Sequence, residues 1–363
     1  MNATDDRTLC YILGADYYVP EREVSSEEIS QRAGLLKLGL GAGTLEEATG
    51  VRTRRFAADD EHPSTMATVA CERLLARLAM DRTRVGALLF AANTMDEAEP
   101  ITAMRVHESL GLSKTTFVAD VRDACNSALK AMILATGLIK SGMVSNVLIA
   151  VGERLHDGIY LKGILSKSDL VSRYLAGLTL GDAGAAMLLS AEPSGTCLRV
   201  IHQQWEVDSS HRGLARIDAG GTRHLADPER IYFISNAKRL CQVAVEHLPA
   251  MVQDVCAKLG WDRTTTGIIP HQVSKGVTRM IATIAGIPLK NLMVTLDKFG
   301  NTGAATIPMA LALAFENGFT STFKRILLVG GAAGFSAAIL ALELISQQAA
   351  RIVPGDPETE PIG

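Results

Sequence analysis

The chain has 363 residues, 36 of them basic and 39 acidic, for a net charge of −3, and 47% of it is hydrophobic. That composition supports a large core, in two domains or one fused unit, and excludes a disordered chain. There is no block of like charge to mark a nucleic-acid or membrane surface, no signal-peptide pattern in MNATDDRTLC and no apolar run long enough to span a bilayer, so a cytoplasmic protein is expected.

In chain order, the pattern predicts a helix over Thr65–Leu78 and a buried strand over Val85–Ala91. A helix over Cys125–Ser141 leads to buried strands over Val147–Val151 and Ala185–Ser190. The Pro/Gly/Ser stretch Ala191–Thr196 then reads as a linker. Beyond it come a helix over Asn236–Leu259, a strand over Gly267–Ile269, helices over Lys275–Ala285 and Ala304–Asn317, and a strand over Ile326–Val329. Strands that are apolar throughout, alternating with helices, predict α/β layers with covered sheets. The tail Ile352–Gly363 is Pro-rich and acidic and is expected to be flexible.

A weak internal repeat organises this alternation. FVADVRDACNSALKAMILATGLIKSGMVSNVLIAVG and MVTLDKFGNTGAATIPMALALAFENGFTSTFKRILLVGG each read as strand, turn, small-residue helix and strand. Phe117 lies eight residues before Cys125, and Met293 lies eight before Asn301. Cys125 and Asn301 therefore occupy matching turns of two similar halves, which the sequence divides into 1–192 and 193–350, with 351–363 as the tail.

Six cysteines, at 10, 71, 125, 197, 241 and 256, are widely spaced and form no CxxC pair, so neither a metal knuckle nor a disulfide framework is expected. Cys125, in DACNSALKA, is placed where a helix N-terminus would favour thiolate. The competing reading is a small buried hydrophobe. His271, in IIPHQ, follows a short strand, suited to proton transfer or to donating to an oxyanion. Packing alone would also explain it. Asn301, in KFGNTGAA, is either a turn former or an amide donor aimed at substrate. The glycine-rich segments Leu180–Ala186 and Val329–Phe335 lack phosphate-loop spacing, and no cofactor or metal is expected.

Taken together, TGVRTRR (Thr49–Arg55), DACNSA (Asp123–Ala128), GDAGAA (Gly181–Ala186), PHQ (Pro270–Gln272) and FGNTGAATIPMAL (Phe299–Leu311) resemble the 3-oxoacyl-[acyl-carrier-protein] synthase III family, ketosynthases of the thiolase superfamily. The resemblance spans Cys10 to Glu343. It implies a five-layer αβαβα fold with two pseudo-symmetric halves, a homodimer, and acyl carrier protein or coenzyme A thioesters as partners. Cys125 would be acylated, and the amides of Cys125 and Ala333 would form an oxyanion hole. His271 and Asn301 would hold a malonyl-type extender during decarboxylative Claisen condensation. Glu99, Leu180 and Phe335 would line the substrate pocket, with Glu99 reaching across the dimer. Lys275 and Arg279 would meet the carrier protein.

The chain departs from the family pattern at Thr44 and Ala48, where coenzyme-contacting Trp and Arg are usual. It also carries Val273 and Ser274 after PHQ, and Ala332 and Ala333 in place of glycines. These departures, with Glu99 before Pro100, favour specialised polyketide or unusual fatty-acid synthesis over acetyl priming. They also point to an acyl donor larger or more polar than acetyl. An acyltransferase passing the group to a hydroxyl or amine is the alternative, and a non-catalytic partner subunit the third. Trp205–Phe233 matches no feature of the pattern.

Overall fold

A computed structural model describes residues 9–41, 43–161 and 172–346. The proposed flexible tail, 351–363, lies outside the described residues. The strands are β1 (Tyr11–Tyr18), β2 (Arg22–Ser25), β3 (Thr53–Phe56), β4 (Ala87–Ala91), β5 (Phe117–Val121), β6 (Asn146–Glu153) and β7 (Ala183–Ser190), followed by β8 (Cys197–Val207), β9 (Ala215–Arg216), β10 (Ile234–Ser235), β11 (Gly267–Pro270), β12 (Arg325–Ala332) and β13 (Ser336–Ile345).

Nine of them form one sheet in the order β11-β12-β13-β8-β1-β7-β6-β4-β5. Its centre is narrow: β1 and β8 pair only through Tyr11 with Arg199 and Ile12 with Leu198. Outward from that junction the two wings follow one plan. In the first, β7 is antiparallel to β1, β6 is antiparallel to β7, and β4 and β5 continue in parallel. In the second, β13 is antiparallel to β8, β12 is antiparallel to β13, and β11 is parallel to β12.

The fifth position of the second wing differs from the expected strand. Only an isolated parallel bridge between Ile268 and Leu292 occupies it, and a short helix, Leu296–Phe299, follows. A side chain has replaced the ladder. The Gln272 amide donates to Met293 O at 3.1 Å, and its oxygen accepts from Thr295 N at 3.0 Å and Leu296 N at 3.2 Å. Those backbone groups are satisfied without a neighbouring strand.

Side-chain alternation builds the layers. Leu89, Val147, Ile149, Ile326, Leu328 and Leu340 face one cluster, which also contains residues of the helices Ser127–Lys140 and Thr306–Glu316. Their strand neighbours face outward. Leu88, Phe90 and Leu148 pack with Leu74 of the helix Pro63–Arg77 and Val106 of the helix Thr102–Leu110. Leu327, Val329 and Ile339 pack with the helices Ala237–Leu259 and Lys275–Ala285. The result is the expected αβαβα arrangement, with two helices sandwiched between the wings. A sandwiched helix has no solvent face, which explains why Thr306–Glu316 is buried almost all round.

Helix ends follow their caps. Lys275–Ala285 runs as the sequence predicts, because the Ser274 hydroxyl accepts from Val277 N and Gly286 closes the far end in the left-handed region. Among the described residues, no helix is long and apolar enough to cross a membrane.

Candidate active site

Cys125, His271 and Asn301 line one cavity of about 100 Å³. The wall is otherwise largely apolar: Phe233, Leu240, Ala244 and Leu248 on one side, Val277 and Ile281 on another. Ala332, Ala333 and Phe335 contribute from the turn between β12 and β13. A wider open groove of about 320 Å³ is lined by Arg122, Asp123, Lys130, Leu134 and Trp205 among others. It holds none of the three residues, so the smaller cavity is the candidate site.

Cys125 sits in a tight turn between β5 and the helix Ser127–Lys140, with Ala124 forced to a φ of 46°. Ser127 locks that turn, accepting from Asp123 N at 2.9 Å and donating to Ala124 O at 2.7 Å. Both flanks of the cysteine are tied to the β12–β13 turn. The Asn126 amide donates to Ser336 O at 2.8 Å, and the Ser336 hydroxyl donates to Asp123 Oδ2 at 2.7 Å. Gly330 must be glycine here, since a Cβ would stand 2.1 Å from Asn126 Oδ1.

The helix does not make Cys125 a resting thiolate. Burial, then the charges of Glu153 and Asp123, push the thiol up to about 12. The helix begins only at Ser127, with Asn126 as its cap, so Cys125 precedes the cap position. Its surroundings favour the thiol over the thiolate.

His271 supplies a neutral imidazole. Its backbone N–H donates to Val329 O at 2.8 Å at the end of β11. Both ring nitrogens are buried without a hydrogen-bond partner, and burial pushes the group down to about 4. An imidazole whose two polar atoms face a cavity unpaired is available to a substrate.

Asn301 N donates to Thr179 O at 2.8 Å, and Asn301 O accepts from Gly181 N at 3.0 Å. Its carboxamide oxygen accepts from Gly303 N at 3.0 Å, leaving the NH2 group to donate toward a ligand.

Of the other residues singled out in the sequence, Phe335 and Ala333 line the cavity. Leu180 is buried and bridges to Asn301 through its backbone, and Glu99 is exposed; neither lines the cavity of a single chain. Lys275 and Arg279 lie on the exposed face of the helix whose Val277, Thr278 and Ile281 reach the cavity. Asp182 is fully buried; it accepts from the backbone of Ala57, Leu155 and His156 and pairs with the His156 ring.

Sequence reasoning missed three features. Leu240, Ala244 and Leu248 repeat every four residues along the helix Ala237–Leu259, a legible stripe that lines the cavity. Phe233, the last residue of the unassigned segment Trp205–Phe233, also reaches the cavity. Glu153 follows the apolar run Val147–Gly152 at the end of β6 and is fully buried, an anomaly the sequence displays.

Comparison with known proteins bears on this arrangement. Residues 119–209 match the model of 3-oxoacyl-[acyl-carrier-protein (ACP)] synthase III, and residues 251–344 match the model of that family's C-terminal region. The chain is 26% identical over 339 residues to a 3-oxopimeloyl-[acyl-carrier-protein] synthase of Brucella abortus, covering 92% of this chain and 98% of that protein. It is 27% identical, with the same coverage, to an acetoacetyl CoA synthase of a Streptomyces species. Among solved structures, OleA of Xanthomonas campestris superposes with a TM-score of 0.82 at 22% identity, covering 94% of this chain and 100% of that one. OleA has been crystallised with a glutamate, a cysteine or a histidine substituted. There the glutamate precedes the cysteine by 26 positions, the spacing that separates Glu99 from Cys125 here.

Proposed function

The chain belongs to the 3-oxoacyl-[acyl-carrier-protein] synthase III family of the thiolase superfamily, acyl-transferring condensing enzymes, and from that premise we propose that Cys125, His271 and Asn301 carry out a decarboxylative Claisen condensation. The single observation behind the assignment is their convergence on one apolar cavity, with both nitrogens of His271 left unpaired.

In the first half-reaction the Cys125 sulfur attacks a thioester carbonyl as its proton passes to His271. The amide N–H groups of Cys125 and Ala333 hold the developing oxyanion. The leaving thiol of coenzyme A or a carrier protein takes the proton, and the acyl group remains on Cys125. In the second, the neutral His271 N–H and the Asn301 NH2 donate to the carbonyl oxygen of a malonyl-type thioester. Carbon dioxide departs, and the enolate they stabilise attacks the acyl carbonyl. The Cys125 sulfur leaves and is reprotonated.

The wall of Leu240, Ala244, Leu248, Val277 and Ile281 fits an apolar chain, which favours a donor larger than acetyl over a more polar one. The absence of Trp and Arg at Thr44 and Ala48 supports a role in specialised polyketide or unusual fatty-acid synthesis rather than acetyl priming. Lys275 and Arg279 form no salt bridge among the described residues and offer two cations to an acidic carrier protein.

A homodimer is part of the proposal. The edge strand β5 presents Phe117 at 44% exposure, and Leu134 and Trp205 stand more than half exposed in the neighbouring groove. Glu99, in the loop that the family resemblance carries across the dimer, then enters the site of the partner subunit; it precedes Cys125 by the spacing that separates the substituted glutamate and cysteine of OleA. The halves 1–192 and 193–350 then each contribute one wing and one of the two sandwiched helices.

The test is incubation with malonyl-carrier protein and a panel of acyl thioesters, reading product mass and released carbon dioxide. Condensed product that disappears in Cys125→Ala supports the assignment. Acyl transfer to a hydroxyl or amine without carbon dioxide release would establish the acyltransferase alternative.

A further inference from the structure

The mechanism above leaves one buried ionisable group near the nucleophile unused. Glu153 closes β6, a strand buried on both faces, and is itself fully buried. Its Oε1 accepts from Asn93 N at 2.9 Å and from Ala304 N at 3.1 Å. Its Oε2 accepts from Thr94 N at 3.1 Å and from the Thr94 hydroxyl at 2.9 Å. Four donors converge on one carboxyl group and favour its anion, against the burial that pushes the group up to about 7.

Those donors come from two segments with different tasks. Ala304 belongs to the turn that carries Asn301. Gly303, between them, donates to Asn301 Oδ1, and a Cβ there would stand 2.9 Å from Glu153 Oε1. Asn93 and Thr94 open the segment that leads to Glu99. An apolar residue would fill the end of an apolar strand without the desolvation that a carboxylate suffers. What only the carboxylate supplies is a bridge between these two backbones.

We propose that Glu153 is a positioning residue for condensation: it fixes the Asn301 turn against the Asn93–Thr94 segment and so sets where the Asn301 amide meets the substrate. The inference rests on the condensation reading given above. It separates the two half-reactions, because Asn301 acts on the extender and not on the acylation of Cys125.

Glu153→Gln keeps the shape but puts an NH2 group against N–H donors, both the Asn93 and Ala304 amides at the Oε1 position or the Thr94 amide at the Oε2 position. It leaves a neutral oxygen as the weaker acceptor, so the anchoring of both segments loosens. Single-turnover discharge of preloaded acyl-enzyme by malonyl-carrier protein is expected to slow by about 10- to 100-fold, the scale of a misplaced catalytic group. Loading of Cys125 stays near wild type. In an Asn301→Ala background the same change adds almost nothing, since the two act through one amide. Glu153→Asp, which keeps the charge but is too short to reach both segments, follows the same pattern and serves if the glutamine variant does not fold.

Hydrogen exchange gives a readout independent of the reaction. Glu153→Gln or Glu153→Asp is expected to accelerate exchange at the Thr94 and Ala304 amides together. Wild-type discharge rates in these variants, fully multiplicative effects with Asn301→Ala, or faster exchange at only one segment would each overturn the proposal. Failure of the wild-type protein to condense would remove the functional reading, while the exchange result would still decide whether Glu153 ties the two turns.

Discussion

The turn at Cys125 and the turn at Asn301 occupy the same place in the two wings of the sheet, yet they are held by different physics. The first follows a regular five-residue strand, β5, and is closed by local bonds from Ser127 and by a φ of 46° at Ala124, with Ser336 the one distant group that ties its flanks. The second follows a single bridge at Leu292, and its backbone is held by distant groups: Gln272, Thr179 and Glu153. A nucleophile attacking along one trajectory benefits from a rigid turn. A donor contributed by the second wing relies on side chains from elsewhere to bring it into register.

The largest effect expected from this contrast belongs to the first turn. Cys125→Ala removes the proposed acylation site, and product formation should fall by at least about 10³-fold, as for loss of a nucleophile. Acyl adducts on a second cysteine in that variant would show that the turn does not select the sulfur; Cys241, which also lines the cavity, is the one to watch.

Donor loss comes next. His271→Ala and Asn301→Ala should each slow condensation by about 10²–10³, the scale of a lost oxyanion donor. Stopped-flow discharge of the acyl-enzyme measures this directly, and the Asn301 variant should retain loading.

Crowding separates the turns further. A Cβ at Gly330 meets Asn126 at 2.1 Å, in the network that fixes both flanks of Cys125. Gly330→Ala should therefore lower stability by about 1–3 kcal/mol, the usual cost of overpacking, which thermal unfolding would register. Gly303→Ala presses on Glu153 instead, at a φ of 56°, and should depress condensation more than it depresses loading.

The last effect is one of pH. His271 is held neutral, at about 4 in place of 6.5. The unfolded chain binds this proton first as pH falls, so the stability associated with the neutral ring is full above 6.5 and declines between 6.5 and about 4. Denaturant titrations across that window should show a shallower decline in His271→Ala than in the wild type.

Much of the layout was legible because local rules and tertiary packing agree. Fully apolar strands marked covered sheets, and the helix expected over Lys275–Ala285 ends where Ser274 and Gly286 cap it. The repeat pointed to equivalent turns, with Cys125 and Asn301 at matching offsets. The lost fifth strand was not legible, because MVTL has strand-forming composition while its backbone partners come from Gln272, some 20 positions earlier. Nor was the state of the thiol: proximity to a helix suggested thiolate, whereas burial beside Glu153 and Asp123 keeps the proton on. Glu153 went unread although it is an acid after an apolar run, because the two backbones it joins meet only in the fold.

The central claim is that one sulfur accepts the acyl group while an imidazole and a carboxamide act on the extender. Intact-protein mass spectrometry, before and after addition of malonyl-carrier protein, resolves these events for the wild type and for Cys125→Ala, His271→Ala and Asn301→Ala. The expected result is an acyl adduct that forms and discharges in the wild type, never forms without Cys125, and forms but persists without Asn301. Discharge of the Asn301→Ala adduct at the wild-type rate would contradict the account.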